Sequence, residues 1–101
     1  MAGESELGEV AGFVNYGATT ILDRDVAPLA SLRTGEDGLV AGNLVGTNLH
    51  GPFLPMNSLW ADRLLSAAAE LAGARPAADD PRIAVVDDRA RRSRDAIRAR
   101  L

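Results

Sequence analysis

The sequence predicts an α/β domain in which short strands are followed by two helices. Three observations predict it. Before Leu49 the apolar residues come in short β-branched or leucine-rich runs separated by Gly, Asn and Asp. After Pro55 the apolar period lengthens to that of a helix. Between the first and last strand runs no stretch has helical period, so the strands follow one another without a crossover helix. The chain therefore looks less like a complete doubly wound domain than like the second half of one.

The elements follow in order. Glu9 to Asn15, "EVAGFVN", reads as a strand, with Tyr16-Gly17-Ala18 as a turn. Thr19 to Leu22, "TTIL", is β-branched and predicts a second short strand. "DRDVAP" is a loop, and Leu29 to Arg33 alternates as a third strand. "TGEDG" has turn chemistry. Leu39–Ala41 and Leu44–Leu49 are two apolar pieces around Gly42-Asn43, a two-residue hairpin signal.

Asn57 or Ser58 can cap the first helix. Leu59, Leu64, Leu65, Ala68, Ala69 and Ala72 recur at helical spacing, and Gly73 is its stop. "ARPAADDP" is a linker. Asp80 then caps a second helix with Pro81 in its first turn. Ile83, Val86, Ala90, Ile97 and Leu101 trace an intermittent apolar stripe along it. Residues 1–78 are thus expected to form the α/β part and residues 79–101 a charged C-terminal helix.

Composition narrows the chemistry. At 101 residues with a net charge of −3, the chain is one small domain or a piece of a larger one, with no general case for nucleic acid. It has no cysteine and one histidine. That removes disulfides, thiolate metal sites and a cysteine nucleophile from these residues, and no carboxylates stand at metal spacing. No metal and no cofactor is expected. The N-terminal "MAGESELGEV" has no apolar segment of the signal-peptide kind, and no apolar run is long enough to span a membrane. A cytoplasmic location is the default expectation.

His50 is the candidate catalytic residue. The bland reading is a surface or half-buried turn residue. The functional reading rests on position: a strand end presents groups to a ligand, Gly51 permits unusual backbone angles, and Pro52 stiffens the exit. With a pKa of about 6.5, an imidazole there can take and return a proton near neutrality.

Other features read as structural. Asp87 and Asp88 are adjacent, and neighbours on a helix do not share a face, so a solvated charged surface is expected. From Asp79 to Leu101 seven arginines stand against five aspartates, without interleaved aromatics. This predicts a helix packed on the domain edge or on a partner subunit rather than a phosphate-binding helix. "GEDGLVAG" has no helix opening behind it and is not a phosphate loop. Trp60 is expected to anchor packing.

The segment "GTNLHGPFLPMNSLWADRLL" resembles the C-terminal motif of class I glutamine amidotransferases of the cobyric acid synthase type. Within them it is most similar to glutaminase subunits of lipid II isoglutaminyl synthases. Gly46, Thr47, Leu49, His50, Gly51, Pro52, Leu54, Pro55, Asn57, Leu59, Ala61 and Asp62 carry the resemblance. Upstream, "GFVNYGATTIL" is similar to a second motif through Gly12, Phe13, Asn15, Gly17 and Thr19. The two blocks come in the family's order and cover about residues 8 to 72, the later part of the family's domain.

The resemblance implies a partial class I amidotransferase-like fold, glutamine as substrate, a Mur ligase-like synthetase as partner and His50 as the catalytic histidine. In such domains a cysteine thiolate attacks the side-chain amide of glutamine, and the histidine handles the proton. This chain departs from the pattern. It lacks the nucleophilic cysteine, so no glutaminase activity is expected of it alone. Pro52 stands where many class I enzymes have glutamate, as in the cobyric acid synthase branch. Asn48, Val14 and Tyr16 replace the family's tyrosine, glutamate and histidine. Two alternatives stay open: a fragment serving corrinoid amidation, and a non-catalytic α/β interaction module derived from the fold. In either, an uncovered strand edge predicts a dimer or a partner chain.

Overall fold

The computed structural model describes residues 1–15, 17–50, 52–75 and 80–100. Strands and helices are both present, with the strands first, as expected. The largest sheet has the order β2-β1-β4-β5, built from β2 (Gly8–Ala11), β1 (Ala2–Ser5), β4 (Ala30–Leu32) and β5 (Gly35–Asp37). Every pairing in it is antiparallel. Two smaller antiparallel pairs complete the strand set: β3 (Phe13–Val14) with β8 (Leu49–His50), and β6 (Leu39–Ala41) with β7 (Leu44–Gly46). Among the described residues, then, the strands do not form the parallel sheet of a doubly wound half.

Several boundaries differ from the sequence reading, each for a physical reason. Ala2–Ser5 was not expected to be a strand, because Ala, Gly, Glu and Ser carry little β preference. It forms because it has a partner on both sides. The expected strand Glu9–Asn15 is interrupted at Gly12, where the chain changes partner from β1 to β8. The Gly12 amide donates to the Met1 carbonyl at 3.0 Å, and the Met1 ammonium donates to the Gly12 carbonyl at 2.8 Å. Thr19–Leu22 is not a strand: Ile21 is 90% exposed, so its β-branched residues have no surface to pack against. In "TGEDG" only Thr34 lies in the turn, with Arg33 before it; Gly35–Asp37 pairs back on β4. Leu44–Leu49 is two strands rather than one, with Thr47 and Asn48 between them.

The local signals hold where they are strong. Gly42-Asn43 joins β6 to β7, with Ala41 opposite Leu44. Three helices follow rather than two: a short α1 (Phe53–Met56), α2 (Ser58–Leu71) and α3 (Pro81–Arg98). α1 has a proline inside it and only one turn, which hides it from periodicity. α2 ends in a Schellman arrangement: the Ala74 amide donates to the Ala69 carbonyl at 2.8 Å and the Gly73 amide to the Glu70 carbonyl at 3.2 Å, with Gly73 at φ +68°. Asp80 caps α3, its carboxylate accepting from the Arg82 amide at 2.9 Å, with Pro81 opening the helix. Leu101 and the linker positions 76–79 lie outside the described residues.

The core is small and centres on Val10, Leu29, Ala30, Leu32, Leu49 and Trp60. Trp60 is 1% exposed, and its indole N–H donates to Ser5 Oγ at 3.0 Å, which ties α2 to the end of β1. This matches its reading as a packing anchor. α3 packs across α1, β1 and β2.

Candidate functional site

His50 closes β8 and is exposed, with Phe13 opposite it in the antiparallel register. Val14 stands opposite Leu49, and the Asn15 amide donates to the Asn48 carbonyl at 3.4 Å. The segment around Gly12 therefore lies directly beside the segment around His50. Gly12 makes that approach possible: a Cβ there would sit 3.0 Å from Leu49 Cβ and 3.1 Å from the His50 carbonyl oxygen.

Two buried polar side chains tie together the segments around the histidine strand. Upstream, Asp37 is 2% exposed at the end of β5. Its carboxylate accepts from Thr47 Oγ1 at 2.6 Å and from the Asn48 amide at 3.2 Å. Thr47 Oγ1 in turn accepts from the Leu49 amide at 3.0 Å. Charge-assisted bonds of this kind are the stronger ones, and together they set the direction in which β8 leaves the β6–β7 hairpin. Gly38 lets the parts meet, because a Cβ at that residue would lie 2.1 Å from the Gly46 carbonyl oxygen.

Downstream, Asn57 is 3% exposed. It occupies the N-cap position of α2 but its side chain makes no cap bond. Instead it bonds Ala11 on both sides: its Oδ1 accepts from the Ala11 amide and its Nδ2 donates to the Ala11 carbonyl, each at 2.9 Å. Nδ2 also donates to the Phe53 carbonyl at 2.8 Å. Asn57 thus pins the α1–α2 junction to the end of β2, one residue before Gly12. Sequence reasoning assigned Asn57 a capping role and missed this one. Asp37 was read as a turn residue; a buried aspartate and a turn aspartate have the same local sequence signature.

A cleft lies between α1 and α3; His50 does not line it, but its strand partner Phe13 does. Phe13 and Pro52 form the end nearest the histidine, and Met56, Val86, Ala90 and Ile97 line the rest. Phe13 is 61% exposed there. An exposed imidazole at a strand end can exchange a proton with a group bound against it.

Asp87 and Asp88 do not form an acid–base pair. Asp88 binds Arg91 at 2.8 Å and Arg92 at 2.9 Å, and the Arg91 bond, followed by the Arg92 charge, holds its carboxyl below the usual range. Most other arginines of α3 are also engaged. Arg98 pairs with Glu9 at 2.7 Å, and Arg94 donates to the Met56 carbonyl. Among the described residues no three His, Asp or Glu side chains converge as metal ligands would, and no helix is long and apolar enough to cross a membrane.

Comparison with known proteins gives one partial relative. The chain is 36% identical over 72 residues to the lipid II isoglutaminyl synthase (glutamine-hydrolyzing) subunit GatD of Staphylococcus aureus (strain N315). The match takes in 65% of this chain and 30% of that protein, so the chain spans under a third of the relative's length. The similarity supports a relation to glutamine amidotransferases. No family profile matches the chain, and no solved structure matches it.

Proposed function

We propose that the chain is the C-terminal portion of a class I-like glutamine amidotransferase that supplies ammonia for amidation of lipid II. His50 is the proton carrier of the reaction. The nucleophilic thiol comes from outside these 101 residues, which contain no cysteine. In this reading the imidazole takes the proton of the incoming thiol as sulfur attacks the amide carbon of glutamine. It returns that proton to the departing nitrogen, which leaves as ammonia. Water then releases glutamate from the thioester. A Mur ligase-like synthetase consumes the ammonia.

The observation that carries the reading is the juxtaposition of the two blocks that resemble the amidotransferase motifs. They are far apart in sequence, yet Phe13 faces His50 and Gly12 lies against Leu49. Within the second block Thr47 bonds Asp37 and Leu49 at the start of the histidine strand, and Asn57 bonds Ala11, one residue before the Gly12 that lies against it. The similarity to GatD supports the same reading.

The test is ammonia release from glutamine. The pure chain is expected to release none. Mixing it with an amidotransferase segment that bears the nucleophilic cysteine is expected to restore release, and His50→Ala is expected to abolish the restored activity. Release that is unchanged by His50→Ala would overturn the assignment. The lack of any cysteine favours a second reading, a non-catalytic interaction module; stable association with such a segment but no ammonia release would support it.

A further inference from the structure

The cleft between α1 and α3 has an apolar floor and cationic ends. Its volume is about 550 Å³, and Phe13, Pro55, Met56, Ala90 and Ile97 line it. Positions 89, 93, 96 and 100 run along its α3 side, at the spacing that keeps residues on one face. Ser93 and Ala96 are short, which leaves the middle open. Arg89 and Arg100 stand towards the ends. Arg100 follows the last turn of α3, and its amide donates to the Ile97 carbonyl at 3.0 Å. Phe13, Arg89 and Arg100 are all exposed. Aromatic rings and arginines are the residues that most often anchor a contact.

The charge of this cleft has one sign. Among the described residues no carboxylate lines it. Arg82, Arg91, Arg92 and Arg98 of α3 are paired with Asp80, Asp88, Asp95 or Glu9, and Arg94 donates to the Met56 carbonyl. Among the described residues Arg89 and Arg100 enter no ion pair. The two cations left without a counter-charge at this helix are thus the two that face the cleft. By the rise of a helix they stand about 16 Å apart along it. One small anion cannot bridge that distance, and the apolar floor between them is unlike a groove that tracks a phosphate backbone.

We propose that the occupant of this cleft is an acidic amphipathic helix of a partner protein, with apolar side chains on one face and two carboxylates about three turns apart. Its carboxylates meet Arg89 and Arg100, and its apolar face covers Phe13 and Met56. An extended segment fits less well. The walls are built on helices, whose backbone groups are engaged within those helices, so a strand would bury amides and carbonyls without partners. A helix satisfies its own. Pro52 and Pro55 stiffen the wall opposite α3, so little order has to be imposed on binding. The contact does not depend on the amidotransferase reading.

The experiment titrates a labelled synthetic peptide with the full chain and follows its fluorescence anisotropy. The peptide is a helix of about 18 residues, with glutamates three turns apart and leucines on the same face between them. Saturation is expected with a Kd of about 10 to 100 μM. The chain carrying both Arg89→Glu and Arg100→Glu is expected to bind it at least about tenfold more weakly, with unchanged circular dichroism. A peptide with lysines in place of the glutamates is expected to reverse this order, binding the double variant and not the wild type. Phe13→Ala is expected to weaken the acidic peptide about tenfold. An acidic peptide that does not saturate at about 500 μM overturns the proposal. So does equal binding by wild type and the double variant, or binding indifferent to Phe13→Ala. Displacement of the peptide by phosphatidylglycerol vesicles would overturn it in favour of an anionic membrane surface.

Discussion

The histidine strand and the last helix are held by different physics. Near β8 the bonds are few and come from two buried side chains: Asp37 bonds Thr47 and Asn48, which lead into it, and Asn57 bonds Ala11, next to its partner strand. Along α3 they are many and exposed: Arg91 to Asp88 and Asp95, Arg92 to Asp88, Arg98 to Asp95. Buried polar groups are costly to leave unpaired, while exposed ion pairs contribute little because water and salt screen them. The site is therefore rigid through two residues, whereas α3 tolerates change at many.

The contrast breaks most readily at Asn57. Asn57→Ala leaves the Ala11 amide and carbonyl without partners in a closed environment. The expected loss is about 3 kcal/mol, seen as a fall of about 15 °C in the thermal midpoint. A midpoint within about 3 °C of wild type would show that water replaces the side chain.

A smaller effect is expected at Asp37. Asp37→Asn keeps the shape but exchanges a charged acceptor for a neutral one, and one side of the amide can no longer accept from Thr47 or Asn48. The expected loss is about 1–2 kcal/mol by denaturant unfolding. Faster amide exchange at Asn48 and Leu49 than at Val10 would locate the damage at the histidine strand. Uniform exchange across the chain would mean that Asp37 supports the whole fold rather than that strand.

Arg91→Ala on α3 is expected to leave the thermal midpoint nearly unchanged, since both of its partners are exposed. A loss as large as that of Asn57→Ala would erase the distinction between the two regions.

The smallest effect is a pH dependence confined to α3. The carboxyls of Asp80 and Asp88 lie below their ordinary value of 3.8, through hydrogen bonds to Arg82 and Arg91 respectively. A lowered folded-state pKa means that the stabilisation is complete above 3.8 and fades as the pH falls through the folded value. Far-ultraviolet circular dichroism between pH 6 and pH 2 is expected to show helix loss only at the acid end. The loss should begin at a higher pH in Arg91→Ala.

What could be read in the sequence was local. The Asp80-Pro81 start of α3, the Gly73 stop of α2 and the Gly42-Asn43 hairpin are each encoded within a few neighbouring residues, and each is found. The mixed strand and helix content followed from the same periodicities. What was not legible depends on distant partners. Ala2–Ser5 becomes a strand only because β2 and β4 flank it. Thr19–Leu22 has the residues of a strand but no surface to bury them. Asp37 and Asn57 look like a turn residue and a helix cap until the chain brings them to Thr47 and Ala11. The motif singles out His50, but it does not reveal the bonds from Asp37 to Thr47 and Asn48 that hold the segment leading into its strand.

Trp60 has a consequence for all of these measurements. It is the sole indole of the chain, sealed at the seam between α2 and the sheet and bonded to Ser5. Its fluorescence consequently reports one place only. A red shift in emission signals that the helix has parted from the strands, while damage confined to the histidine strand leaves the colour of that light unchanged.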